Sequence, residues 1–285
     1  MKLLVIGHSV EDHTISEQKE IVKPGGIYYA ASALTSIAPD DEIFLCTYAE
    51  KENYSLFSDA YDKCAPDFIR YIDSIPKVWL TIHGLKERDE HYSNVNRNLD
   101  IPYDRLNEFR GILINMISGF DIELTQLKRI RENFSGIIYM DVHTLSRGMG
   151  HHGHRGFRKI PDFDQWAACI DIIQANEYES KTITCFEKEE EIAREILNCG
   201  VKQLIITKGE AGAKLYYLQN SELNFMFQSA VNIEEMNKIG LGDVFGAAYF
   251  YNYIKTNNLF YSLDVAVNAS GIAAGHDGLS KLKSL

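Results

Sequence analysis

Residues 238–247 read KIGLGDVFGA. A hydrophilic run over 232–238 ends in Gly240-Leu241-Gly242-Asp243, and an amphipathic, aromatic-rich pattern follows in Val244, Phe245, Ala247, Ala248, Phe250, Tyr251 and Ile254. This is the pattern of a loop opening a helix, with Gly-x-Gly at the turn and an acid in the first helical turn. N–H groups at a helix start have no acceptor within the helix. With no side chain in the way they form a cradle for an anion. Asp243 beside that cradle does not serve to bind the anion, because like charges repel. It is placed to accept a proton from a group that attacks the anion. An anion hole beside a carboxylate base is what phosphoryl transfer to a hydroxyl requires.

Two plainer readings compete. Gly240, Gly242 and Gly246 resemble a dinucleotide fingerprint, but the spacing misses G-x-G-x-x-G by one residue and no hydrophobic strand precedes it. A glycine loop before a buried helix, with no ligand at all, fits the same letters.

The rest of the chain sets the frame. Its 285 residues are 45% hydrophobic, which suits one large α/β domain or one domain with a small appendage. A formal net charge of −11 argues against nucleic acid or an anionic membrane as the main partner. A small-molecule ligand bearing phosphate stays open, since backbone amides and metal ions supply positive field locally. No apolar run approaches the roughly 20 residues of a membrane span. Residues 1–7, MKLLVIG, are too short for a signal peptide and are expected to form a buried first strand. The five cysteines contain no C-x-x-C pair and are expected to be reduced thiols of a cytoplasmic protein.

Short apolar runs at 3–6, 43–47, 68–72, 112–117, 137–140, 170–174 and 204–207 are strand candidates. Several are continuous, as in strands buried on both faces. Helical patterns at 27–36, 124–132 and 187–197 alternate with them, which predicts a three-layer, doubly wound, mostly parallel sheet. Runs at 213–218 and 223–227 look antiparallel, and helices are expected at 243–255 and 262–274. Segments of about 11–23 and 77–96 break the alternation and are expected to form a small β lid inserted in a single domain over 1–285. Extended surface loops are the alternative for both. Residues 143–158, HTLSRGMGHHGHRGFR, are expected to be a mobile loop over a substrate. Their H-H-x-H spacing matches no helical or zinc-ribbon pattern.

Other short motifs carry possible chemistry. Thr207-x-Gly209-x-x-Gly212 at a strand end offers backbone amides and a hydroxyl to a nucleotide's phosphates, or simply makes a hairpin turn. Asn176 and Glu179 share a helical face, as either a capping pair or an outer-sphere Mg²⁺ site. Gly25-Gly26 before a helix lets a ligand approach the backbone, or makes a turn. Asp12 lies just past the first strand, where parallel sheets bind ligands.

Taken in order, Gly25-Gly26, Asn176-x-x-Glu179, Thr207-x-Gly209-x-x-Gly212 and Gly240-x-Gly242-Asp243 resemble the ribokinase (PfkB) family of carbohydrate kinases. The resemblance implies an ATP-dependent kinase acting on a hydroxyl of a sugar, polyol, cyclitol or nucleoside. It implies Asp243 as general base and the amides of Gly240, Leu241 and Gly242 as the anion hole. Asn176 and Glu179 would organise Mg²⁺ through water, and Thr207, Gly209 and Gly212 would line the nucleotide site. Asn268 and Gly275 would flank the adenine, while Asp12, Gly25 and Gly26 would hold substrate hydroxyls. A monovalent cation near the glycine loop and a homodimer formed through the lid are also expected. The chain departs from the pattern in three places. Asn237-Lys238 stand where members usually carry Asp-Thr, Ala30 where sugar-binding members have Asn, and Leu241 where Ala is favoured. These departures motivate the alternative of a non-catalytic ligand sensor on the same fold. A nicotinamide-dependent oxidoreductase, suggested only by the glycine loop and the α/β pattern, is a third reading.

Overall fold

A computed structural model describes residues 1–16, 19–81, 89–95, 97–150, 155–230, 239–275, 279 and 282. In chain order the strands are β1 Lys2–Ile6, β2 Ser9–Ser16, β3 Lys19–Gly26, β4 Glu42–Ala49, β5 Ile69–Tyr71, β6 Lys77–Thr81, β7 Asp89–Ser93, β8 Gly111–Asn115, β9 Ile137–Asp141, β10 Arg147–Met149, β11 Arg155–Phe157, β12 Ile172–Asn176, β13 Gln203–Thr207, β14 Gly212–Gln219 and β15 Glu222–Ser229. The helices are α1 Tyr28–Ile37, α2 Ser58–Tyr61, α3 Leu124–Asn133, α4 Phe163–Ala167, α5 Glu177–Ser180, α6 Glu189–Asn198, α7 Leu241–Thr256 and α8 Leu259–Ala274.

Nine strands form the main sheet in the order β15-β14-β13-β12-β9-β8-β1-β4-β5. The seven from β13 to β5 are parallel, and β14 and β15 close one end antiparallel. The continuous apolar runs are the parallel strands. Leu3 to Ile6, Ile112 to Ile114 and Leu204 to Ile206 are fully buried, as a sheet covered on both faces demands. From β1 the chain winds out to β4 and then returns to β8 on the other side. Because crossovers keep one hand, that reversal makes the sheet doubly wound and opens a crevice beyond the C-terminal ends of β1 and β8.

One sequence expectation is met and one changes in detail. The expected small β lid forms: the segment 11–23 makes most of a hairpin, β2 and β3, which joins β6 and β7 in a four-stranded sheet of order β3-β2-β6-β7. Gly25-Gly26 is therefore the end of a strand rather than an isolated turn. The Gly/His/Arg-rich stretch contributes an antiparallel hairpin, β10 with β11. His151, His152 and His154 lie outside the described residues. A short two-stranded ribbon such as β10 and β11, with three residues a strand, leaves little period-2 signal.

Helix α7 also differs from expectation. Every residue from Val244 to Asn252 is buried, so the helix is covered all round and is not amphipathic. It packs between α1 and α8 and over β8 and β9. That contact sets its first turn against the crevice. Among the described residues no helix is long and apolar enough to cross a membrane. All five cysteines are free thiols; Cys46, Cys64 and Cys169 are buried and Cys185 is exposed.

Candidate active site

Polar residues of three strands share one row of the sheet. Asn115 on β8 is the register partner of Asp141 on β9, which is the partner of Gln174 on β12. Two residues further on, Asn176 is paired with Thr207 of β13. Apolar strands that finish in amides and acids bring hydrogen-bonding groups to the sheet's C-terminal edge, where α7 begins.

Gly240 is the N-cap of α7, with a left-handed φ of 76°. A Cβ there would lie 2.2 Å from the Tyr29 ring, so the turn tolerates glycine alone. The first intrahelical bond runs from Val244 N to Gly240 O at 3.0 Å. The N–H groups of Leu241 and Gly242 therefore have no acceptor inside the helix. Gly242 is exposed. Asp243 is half-buried in this first turn, and its Oδ1 accepts a 2.7 Å bond from Asn115 Nδ2. Gln174 Nε2 donates to Gly242 O at 3.0 Å, and Tyr139 Oη donates to Gln174 Oε1 at 2.5 Å. A Cβ at Gly246 would stand 2.8 Å from that same Gln174 Oε1. The third glycine of the motif is thus a packing requirement, not a dinucleotide signature.

Asp141 lies between the two amides and is 5% exposed. Burial, then the charges of Glu179 and Asp243, push its carboxyl well above the usual range. Asp141 is thereby biased toward its neutral form, and its carboxyl interacts with those of Glu179 and Asp243. Among the described residues no group of three or more His, Cys, Asp or Glu side chains is gathered to ligate a metal directly.

Asn176 and Glu179 form the capping box of α5. Asn176 Oδ1 accepts from the N–H groups of Tyr178 and Glu179 at 2.9 Å, and Glu179 Oε2 accepts from Asn176 N at 2.8 Å. Glu179 Oε1 faces His143 Nδ1 at 3.8 Å. In the Thr207 motif the two glycines differ. A Cβ at Gly212 would meet Gln228 O at 2.0 Å, so Gly212 serves the pairing of β14 with β15. Gly209 has φ 53° and open space around it. Lys208, between Thr207 and Gly209, is held by Glu177 and Glu189. Asn268 Nδ2 bonds Asp264 O within α8, and Gly275 caps that helix.

At the lid, the carboxyl of Asp12 covers Gly25, where a Cβ would lie 2.2 Å from Asp12 Oδ1. Gly26 has φ 64° and passes His8 O too closely for any Cβ. Ala30 is wholly buried in α1 and belongs to the core. Tyr92 of β7 lies under the Arg155 guanidinium, which also covers Phe120 and donates to Ser118 O. The hairpin of β10 and β11 thereby touches both the lid and the loop after β8. Asn237 and Lys238 lie outside the described residues.

Asn176 and Thr207 thus share the C-terminal edge of the main sheet with Asn115, to which Asp243 is bonded, while Asp12, Gly25 and Gly26 lie in the lid sheet and Asn268 and Gly275 on and just after α8. Asn115, Asp141 and Gln174 were not singled out from the sequence. Their signal was slight, a single polar letter ending each of GILIN and IIYMD and one inside IIQAN.

Residues 156–284 match the model for the pfkB family carbohydrate kinases. No curated protein matches the chain in sequence. The fold is similar to that of a pyrophosphate-dependent kinase in the ribokinase family complexed with a pyrophosphate analog and myo-inositol, at 15% identity and TM-score 0.75 over 100% of both chains. It is similar to ribokinase from Thermotoga maritima, at 16% identity and TM-score 0.75 over 99% of this chain and 95% of that one. Arabidopsis thaliana ribokinase complexed with ribose and ATP gives 14% identity and TM-score 0.75 over 100% and 98%. The pfkB match thus covers the C-terminal part of the chain, and the likeness to the ribokinase fold extends over its whole length.

Proposed function

We propose that the chain is an ATP-dependent kinase that phosphorylates a hydroxyl of a small sugar, polyol, cyclitol or nucleoside. One observation carries the reading: a carboxylate, Asp243, stands in the first turn of α7 beside N–H groups that the helix leaves open. Asp243 accepts the hydroxyl proton while the hydroxyl oxygen bonds to the γ-phosphorus and the bond to the departing ADP breaks. The amides at Gly240, Leu241 and Gly242 and the positive end of α7 stabilise the charge on the transferred group. Asp12, Gly25 and Gly26 hold the acceptor under the lid.

The donor lies along the strand ends toward Thr207, Gly209 and Gly212, with its base near Asn268 and Gly275. Three interstrand spacings separate β8 from β13, roughly 15 Å in all, which suits an extended nucleotide. A divalent cation nearby would offset the mutual repulsion of the Asp141, Glu179 and Asp243 carboxyls. Asn176 and Glu179 would hold Mg²⁺ through water, and the ion would neutralise charge on the donor phosphates.

The test is an assay of phosphoester formation with ribose, myo-inositol, other polyols and nucleosides. Each is run with Mg²⁺ and either ATP or pyrophosphate, with and without potassium. Transfer from ATP to one class of acceptor is the expected result. Saturable binding with no turnover across the panel would favour the sensor reading.

Glycine 242 gives a sharper test of the anion cradle. A Cβ there meets only Gln174 Nε2, at 3.6 Å, and alanine favours a helix over glycine by about 1 kcal/mol. Gly242→Ala is therefore expected to fold at least as stably as the wild type and yet to bind the phosphoryl donor more weakly. Gly240→Ala, forced against Tyr29, is expected to lower the Tm. Thermal unfolding beside donor titration separates the two. Unchanged donor affinity in Gly242→Ala would place the phosphoryl group elsewhere.

A further inference from the structure

Asn115 ends an apolar strand at the point where the sheet reverses direction, and it is 1% exposed. Its Nδ2 donates to Asp243 Oδ1 at 2.7 Å. Its Oδ1 is buried and has no hydrogen-bond partner in the protein. Turning the amide over would set a carbonyl oxygen against a carboxylate oxygen at that distance, so Asp243 dictates the orientation. An unpartnered buried oxygen costs stability, and an apolar side chain at this strand end would avoid the cost. The side chain is therefore retained for what its N–H does. On the far side of Asp141, Gln174 fixes the carbonyl of Gly242. Two amides, from β8 and β12, thus pin the side chain and the backbone of the same helical turn.

We infer that Asn115 is a positioning residue: its amide fixes one oxygen of the Asp243 carboxylate, aims the group at the acceptor hydroxyl, and favours its charged form. This rests on the reading of Asp243 as the base. Among the described residues the titratable groups around it include Asp141 on β9 and, beyond it, Glu179 on α5 with His143 beside it. A negative charge on either acid would oppose the charge on Asp243, and the Asn115 N–H favours that charge directly.

Two variants test the assignment. Asn115→Asp keeps the shape and replaces the donor by an acceptor, and Asn115→Ala removes both. With ribose and myo-inositol as acceptors and ATP and pyrophosphate as donors, kcat is expected to fall about 10- to 100-fold in Asn115→Ala. KM for both substrates should stay within about threefold, because the contact acts on the base and not on binding. The acidic limb of the kcat/KM profile should move to higher pH in Asn115→Ala, and further in Asn115→Asp. A loss of kcat with an unmoved limb, matched by a loss of thermal stability, overturns the assignment. If the wild type turns over no donor and acceptor pair, the kinase reading fails on its own. The role of Asn115 is then read from a carbon-13 NMR titration of the Asp243 carboxyl. An upward shift in Asn115→Ala supports it, and an unchanged titration overturns it.

Discussion

Asp243→Asn is expected to lower phosphoryl transfer by about 10²-fold or more, the usual range for loss of a general base. Binding of the donor and the Tm should stay close to wild type. The substitution is isosteric, and the new amide oxygen can still accept the bond from Asn115 Nδ2 that Asp243 Oδ1 accepts at 2.7 Å. Asp243 is only half-buried, so no charge deep in the core is lost. What disappears is the capacity to take a proton. Steady-state kinetics, calorimetric donor binding and thermal unfolding on the same preparation separate the outcomes. Turnover within a few-fold of wild type would remove Asp243 from the role of base. Lost donor binding would mean that the carboxylate organises the phosphate site instead.

The contrast between that residue and its neighbours explains what was legible beforehand. Asp243 stands in a local pattern, glycines then an acid then a helix, and every part of it lies within a few residues. The parallel strands were legible for a similar reason, since a strand covered on both faces must be apolar along its length, as in LIIT and GILIN. Asn115, Asp141 and Gln174 are 26 and 33 residues apart in the chain and meet only through the order and register of β8, β9 and β12. A single polar residue in an apolar strand does not say which strand will lie beside it. Gly246 shows the converse. Its letter looked like part of a ligand motif, and its reason is the side chain of Gln174. The lid was legible in the break of the alternation at 11–23 and 77–96, but the pairing of its strands was not, since β2 and β3 carry no continuous apolar face and Glu11 and Asp12 are buried against polar partners or glycine.

Asp121→Ala is expected to cost on the order of 3 to 5 kcal/mol. Asp121 is fully buried in the loop after β8. Its Oδ1 accepts from His8 N at 2.8 Å, and its Oδ2 accepts from Ser118 N, Gly119 N and Ser118 Oγ at 2.9, 3.1 and 3.2 Å. His8 Nδ1 stands 3.2 Å from Oδ1. Removing the carboxylate leaves these donors buried without an acceptor, at the junction of β1, the lid and the Asn115 loop. For a chain of this size the loss should lower Tm by roughly 10 °C. Burial alone pushes the Asp121 carboxyl up, but His8 and the amides around it outweigh burial and hold it below its ordinary value. A carboxyl depressed in the folded state adds stability that is complete above its unfolded value of about 3.9 and disappears as pH falls through its folded value. The stability difference between wild type and Asp121→Asn should accordingly be constant at neutral pH and shrink below about pH 4. Chemical denaturation at stepped pH measures it. A difference that stays level into strong acid, or one that grows there, would show that Asp121 is held neutral and that its partners are not donating to a carboxylate.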